Sequence, residues 1–341
     1  MRVPVFFLAA FLTCTMTMAA EEVSESKTIR IGIIGLDTSH VPAFTKEFNG
    51  DHPTGDPMSG FRVVAAYPFG SSAIESSASR IPKYTEQMKE MGITIADSIE
   101  QLLGMVDCIL LETNDGTLHL NQALQVFRAG KPVFIDKPTG ANLSEVIAIF
   151  RAAKQYDVPM FSSSSLRYSS GAQAIRGGKV GRVLGCSSYS PCSIEPSHTD
   201  LYWYGIHGVE TLYTCMGVGC ESVTHTSTDD YELAVGTWND GRVGTFRGIK
   251  NGKSGYGGLV FGEKAVEDIG PYEGYKALVV QIAKFFRTGV VPIEPQETIE
   301  LYAFMQAAQA SKDAGGVPIQ VKDVVEAAER EATKLLESAT E

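Results

Sequence analysis

The sequence predicts an α/β chain of two units: an N-terminal doubly wound parallel sheet, then a C-terminal α+β domain with a mostly antiparallel sheet. Three observations carry this. Continuously apolar, β-branched runs alternate with helix-like segments up to about residue 165, as strands buried on both faces of a parallel sheet require. Beyond that point the strands alternate apolar and polar residues with period two, and short turns such as Asn239-Asp240-Gly241 join them. No repeat, low-complexity segment or long linker separates the two patterns, so the units are expected to pack closely with a ligand cleft between them.

In the first unit, strands are expected at 28–36, 61–67, 106–112, 132–135 and 158–161, with helices at 40–48, 84–91, 97–104, 117–129 and 143–156. In the second, strands are expected at 182–190, 220–228, 231–238, 242–249 and 257–265. Helical patterns at 205–216, 272–288, 295–313 and 322–338 flank them. The domain boundaries fall at 27–162 for a Rossmann-like dinucleotide-binding domain and 163–341 for a substrate-binding domain.

Composition narrows the function classes. At 341 residues, 44% hydrophobic and 20% charged, the chain can build two sizeable cores. A net charge of −11 without any basic run argues against nucleic acid or an anionic membrane as the partner, which leaves a small molecule. Arg2, the apolar run from Val5 to Leu12, and the small residues Thr17, Ala19 and Ala20 form a secretory signal over residues 1–20. The mature chain is therefore expected to be periplasmic or extracellular and free of the membrane after cleavage. Cys14 follows Phe11, Leu12 and Thr13, a poor lipoprotein box, so lipid anchoring is not expected. Past the signal, five cysteines remain: Cys108, Cys186, Cys192, Cys215 and Cys220. An odd count leaves one thiol unpaired; Cys186 with Cys192, or Cys215 with Cys220, are candidate pairs.

The first strand runs into IRIGIIGLDTSHV, residues 29–41. Gly35 stands where the first glycine of G-x-G-x-x-G belongs, at the turn that presents backbone N–H groups to a pyrophosphate. Asp37 and His40 occupy the second and third glycine positions, and a carboxylate at the second is costly in size and charge. Thr38 and Ser39 offer hydroxyls in partial compensation. The second strand ends Tyr67-Pro68-Phe69-Gly70-Ser71-Ser72 without the acid that would hold an adenosine ribose, so Ser71, Ser72 and Arg80 could accept a 2′-phosphate.

The later strand ends are more specific. They read TNDGTLH at 113–119 and AGKPVFIDKP at 129–138. With these the sequence resembles the Gfo/Idh/MocA oxidoreductases, whose pattern reads T-P/N-x-x-x-x-H and then A-G-K-x-V-x-x-E-K-P. The likeness continues through Leu166-Arg167-Tyr168, the run Ile175 to Gly181, GIHGVE at 205–210 and FGEKAVE at 261–267. The resemblance implies NAD or NADP as the cofactor, cradled by Gly35, Leu36, Asp37, Thr38, Ser39, His40, Ser71, Thr113, Asn114, His119, Asp136 and Lys137. It implies Lys137 and His207 as the catalytic pair, with Arg167, Asp200, Tyr204 and His207 toward the substrate. By analogy it also implies a homo-oligomer.

Two departures stand out: Trp203 replaces the carboxylate four residues before the family's histidine, and Glu210 follows where aspartate is usual. Tyr202, Trp203 and Tyr204 form an aromatic cluster suited either to stacking on a sugar face or to filling the core. His198, Asp200, His207 and Glu210 are metal-ligand types, but their spacings are short and common and no metal site is assigned.

The expected activity is hydride transfer at a hydroxyl of a sugar, cyclitol or glycoside, with Lys137 holding the oxygen and His207 moving its proton. An exported chain meets no cytosolic nicotinamide pool. That difficulty raises an alternative, a glycoside hydrolase, lyase or epimerase that reuses a tightly bound cofactor in a closed redox cycle. The degraded glycine motif raises another, a non-catalytic sugar-binding protein that has lost its cofactor.

Overall fold

A computed structural model describes Met1 and residues 28–339; the rest of the expected leader lies outside the described residues. The first unit opens with β1 (Ile29–Ile34), α1 (His40–Phe48), β2 (Phe61–Tyr67), α2 (Glu75–Ala78) and α3 (Ile81–Glu90). It continues with β3 (Thr94–Ile95), α4 (Ile99–Met105), β4 (Cys108–Leu111), α5 (His119–Arg128), β5 (Val133–Ile135), α6 (Leu143–Gln155) and β6 (Met160–Phe161). The strands form a six-stranded parallel sheet in the order β3-β2-β1-β4-β5-β6. Every residue of β4 and β5 is buried, which is why those strands read as unbroken apolar runs. Ser98 and Asn142 accept from Gln101 N–H and Glu145 N–H and so start α4 and α6. The strand order reverses between β1 and β4, and the neighbouring carboxyl ends of β1, β4 and β5 open a crevice there.

The second unit comprises α7 (Ser170–Arg176), β7 (Val183–Pro191), α8 (Asp200–Trp203), α9 (Ile206–Met216), β8 (Cys220–Ser227), β9 (Tyr231–Trp238) and β10 (Val243–Ile249). It ends with β11 (Gly257–Gly262), β12 (Val266–Asp268), α10 (Lys276–Thr288), α11 (Pro295–Asp313), β13 (Ile319–Gln320) and α12 (Val321–Ser338). Its sheet runs β12-β11-β7-β10-β9-β8-β13, antiparallel throughout except that β7 pairs with β10 in parallel. One face packs on α9 and α11 through Trp238, Phe246, Leu301 and Phe304. The other leaves Leu184, Tyr189, Leu259 and Phe261 exposed.

Helix α10 returns to the first unit. Its Leu278, Val279, Ile282 and Phe285 share a core with Ile31, Phe44, Phe134 and Phe161, and the Phe161 and Phe285 rings meet edge to face at 5.0 Å. The five cysteines among the described residues are buried free thiols, so neither candidate disulfide forms; Cys186 instead hydrogen-bonds Cys215.

Gly35 earns its place at the end of β1 by close approach. Its φ is +94°, and a Cβ there would lie 2.4 Å from the Thr113 backbone nitrogen. Gly35→Ala is expected to lose at least about 2 kcal/mol of stability from backbone strain and steric overlap together, read by urea unfolding.

Candidate active site at the strand ends

A cavity of about 350 Å³ lies over the carboxyl ends of β1, β4 and β5, within the range of small-molecule sites. Its floor is formed by Thr38, Ser39 and His40 after β1, Asn114 after β4 and Lys137 after β5. Ser76 and Arg80, from the segment after β2, close one side. The second unit covers the opposite side with Trp203, Tyr204 and His207, and Tyr256, Tyr272 and Tyr275 complete the rim. Thus Lys137 and His207, 70 positions apart in the chain, meet one cavity from different units.

Lys137 is held nearly buried, its ammonium 5.6 Å from the centroid of the Tyr204 ring. His207 sits in the first turn of α9, which approaches β10 closely because residue 208 is glycine: a Cβ there would lie 2.3 Å from the Phe246 ring. The imidazole shares a 2.7 Å hydrogen bond between Nδ1 and Ser164 Oγ, and its ring meets Tyr204 and Tyr256 edge to face. Burial, then the nearby positive charge of Lys137 and His40, lowers its pKa well below the ordinary histidine value. His207 is therefore neutral at neutral pH and able to accept a proton.

The turn after β1 resolves the question that Asp37 poses. Its side chain points inward, fully buried, and does not face the cavity. Oδ1 accepts from Asn114 N–H at 3.0 Å and Oδ2 from the Ser77 hydroxyl at 2.5 Å. Gly70 leaves room for it, since a Cβ there would lie 2.7 Å from Oδ2. Burial raises the carboxyl to about 6 against those hydrogen bonds. Thr38 and Ser39 are thereby the residues turned toward the cleft.

Several expected site residues lie behind the cavity wall. Gly35, Leu36, Ser71, Thr113 and Asp136 shape the turns, with Leu36 N–H donating to the Phe69 carbonyl and Ser71 N–H to Ser77 Oγ. His119, expected in the cofactor set, does not line the cavity. It is fully buried, its Nε2 2.6 Å from the Thr113 carbonyl and its Nδ1 3.2 Å from that of Thr139, so it ties the β4 loop to the β5 loop.

Arg167 and Asp200, expected toward the substrate, do not line the cavity, and each is paired with a distant partner. Arg167 pairs with Glu210 through Nε and with Glu297 through NH1 at 2.5 Å, and Arg176 completes that network on Glu297 at 2.8 Å. Asp200 takes Lys312 Nζ at 2.6 Å. Trp203 and Tyr204 line the cavity, whereas Tyr202 is core, donating to the Tyr302 carbonyl. The four metal-ligand types His198, Asp200, His207 and Glu210 are not brought together, since each has a separate partner; His198, for one, accepts Gly116 N–H. Sequence reasoning missed Ser164, Glu112 and the tyrosine rim, the last in a stretch of glycines and single tyrosines without periodicity.

Lys312 also lies 3.3 Å from Glu232, a fully buried carboxylate that Lys250 bonds at 2.8 Å and whose other oxygen is 2.9 Å from His225. Burial pushes Glu232 up, but His225, Lys250, Ser227 and Lys312 outweigh it and hold the carboxyl at about 2. A depressed folded-state pKa contributes stability that is present above the unfolded carboxyl pKa of about 4.3 and lost as pH falls toward 2. Unfolding free energy of the native chain should therefore fall between pH 4.3 and 2, and Glu232→Gln should flatten that part of the profile.

Known proteins share this fold. Residues 29–163 match the family model described as oxidoreductase family, NAD-binding Rossmann fold, of the Gfo/Idh/MocA group. An uncharacterized oxidoreductase of Streptococcus pneumoniae serotype 4 is 24% identical over 155 residues, a match that spans 40% of this chain and only 42% of that protein. Among solved structures, a probable dehydrogenase from Thermotoga maritima superposes with a TM-score of 0.70 at 17% identity, covering 87% of this chain and 100% of that one. Scyllo-inositol dehydrogenase from Lactobacillus casei, solved with bound NAD(H) and scyllo-inositol, gives 0.68 at 16% identity, with 87% and 100% covered. At these identities the structural likeness establishes the shared fold.

Proposed function

We propose that the chain, whose residues 29–163 match the Gfo/Idh/MocA oxidoreductase model with its NAD-binding Rossmann fold, moves hydride between a nicotinamide dinucleotide and a hydroxyl-bearing carbon of a sugar, cyclitol or glycoside. The observation that carries this reading is the convergence of Lys137 and neutral His207 on one cavity at the switch point of the sheet. The cavity residues fit the cofactor. Asp37 is withdrawn from the cleft, the hydroxyls of Thr38 and Ser39 stand at the start of α1, and Arg80 supplies a cation across from them.

When bound, the nicotinamide supplies the hydride acceptor for oxidation of the substrate carbon. The protein's own groups do the rest. Lys137 holds the substrate oxygen and stabilises negative charge developing on it. His207, oriented by Ser164 at Nδ1, takes the hydroxyl proton through Nε2. Trp203 and Tyr204 offer ring faces to the C–H side of a polyol, while the tyrosine hydroxyls of the rim suit its oxygens. The inositol and NAD(H) bound by the Lactobacillus casei relative support this substrate class. We propose the exposed face of the second sheet, with Leu184 and Phe261, as the contact of a homo-oligomer, and the leader at residues 1–20 as an export signal.

The test is nucleotide content. Denaturing the purified protein should release NAD or NADP, and the emptied protein should bind one of them saturably. Neither release nor saturable binding would overturn the proposal. With nucleotide present, a panel of cyclitols and sugars followed at the reduced-nicotinamide band separates net oxidation, which accumulates reduced cofactor, from a closed cycle, which does not.

A further inference from the structure

We infer that His40, Glu112 and Asp136 form a binding site for one divalent transition-metal ion of the zinc or manganese class, opening onto the cavity at the switch point. The three residues come from the three adjacent strand ends: His40 begins α1 after β1, Glu112 follows β4, and Asp136 follows β5. One ligand atom from each lies within 4.8 Å of the other two, and no other group of at least three His, Cys, Asp or Glu residues does so among the described residues. His40 Nδ1 is 2.6 Å from Asp136 Oδ2 and 3.9 Å from Glu112 Oε2.

Proximity of acids alone would not make a site. What points to a ligand is the state of Glu112, which has no exposed surface and yet neither carboxylate oxygen has a hydrogen-bond partner. Asp136 Oδ1 is likewise buried and unpartnered. Buried carboxylates are almost always satisfied by donors or by a cation, and here the protein brings no donor to three of the four oxygens. A divalent ion would occupy those lone pairs at once.

The imidazole is set for the task. Phe44 stacks on it at 5.3 Å and Tyr275 meets it edge-on at 4.7 Å, fixing the ring plane. One imidazole with two carboxylates suits zinc, manganese or ferrous iron better than calcium, which takes six to eight oxygens. Ligands bound at about 2.1 Å sit roughly 3 Å apart, so loading requires the His40–Asp136 contact to open by about half an ångström. His40 lines the cavity, and Glu112 and Asp136 lie buried behind it. The inference goes beyond the oxidoreductase reading and does not depend on it.

The test uses the untagged mature chain, stripped with EDTA and kept free of nucleotide. Titration with zinc chloride and, separately, manganese chloride by calorimetry should give saturable binding of one ion per chain. Cobalt(II) loading should give a visible absorption spectrum with nitrogen and oxygen ligation. Glu112→Gln and His40→Gln should each weaken binding at least about tenfold. Absence of saturable binding by both ions to the wild-type chain overturns the inference whatever the variants do. Binding that persists unchanged in folded Glu112→Gln and His40→Gln overturns it equally. Because no nucleotide is present, either result leaves the nucleotide-release experiment to judge the oxidoreductase reading separately.

Discussion

Replacing His207 with alanine is expected to lower the single-turnover rate of hydride transfer by about 10²–10⁴-fold, the usual contribution of a positioned proton acceptor. Nucleotide affinity should be unchanged, because the imidazole approaches the cavity from the second unit while the dinucleotide cradle belongs to the first. Ser164→Ala should give an intermediate loss, since it removes only the group that orients Nδ1. On the proposed mechanism, Lys137→Met should lower turnover and weaken substrate binding together, because the ammonium would both hold the oxygen and offset its developing charge. The measurement is a rapid-mixing trace at the reduced-nicotinamide band with saturating substrate. Full turnover by His207→Ala would remove it from the chemistry.

Arg167→Ala is expected to destabilise the fold by about 3–5 kcal/mol, because it strands Glu210 and Glu297 as buried carboxylates without their shared cation. Arg176 remains on Glu297 and softens the loss at that end only. Arg167→Lys should recover part of the stability, as a single ammonium cannot reproduce contacts made by two different guanidinium nitrogens. Urea unfolding reads the effect. A variant of unchanged stability with a raised KM would instead place Arg167 against substrate.

These two experiments divide what could be read in the sequence from what could not. Strands buried on both faces betray themselves as apolar runs, so the parallel sheet was legible, and helices 40–48 and 295–313 agree with the structure at both ends. The two residues of β3 and four of α2 are too short to show any period. Lys137 and His207 were legible because motifs with fixed spacing carry them. Arg167, Asp200 and His119 have residue types suited to a site, but none of them lines the cavity. The partners that turn Arg167 and Asp200, Glu297 and Lys312, lie more than a hundred positions away, beyond the reach of local pattern. Asp37 is the reverse case: a carboxylate that reads as an obstacle to phosphate is drawn inward by Ser77 and the Asn114 amide, with Gly70 leaving the room. Glu112 reads as the polar end of an apolar run, and nothing in the run shows that the side chain stays inside.

Helix α10 sets the order in which the molecule can be completed during synthesis. The apolar face formed by Ile31 and Phe134 of the first sheet with Phe44 of α1 is closed by Leu278, Ile282 and Phe285, so that face stays open until most of the chain has been made. A fragment ending near residue 163 would present this surface to water and invite association. The intact chain, tied together at its two distant ends of synthesis, should unfold in a single cooperative transition rather than lobe by lobe.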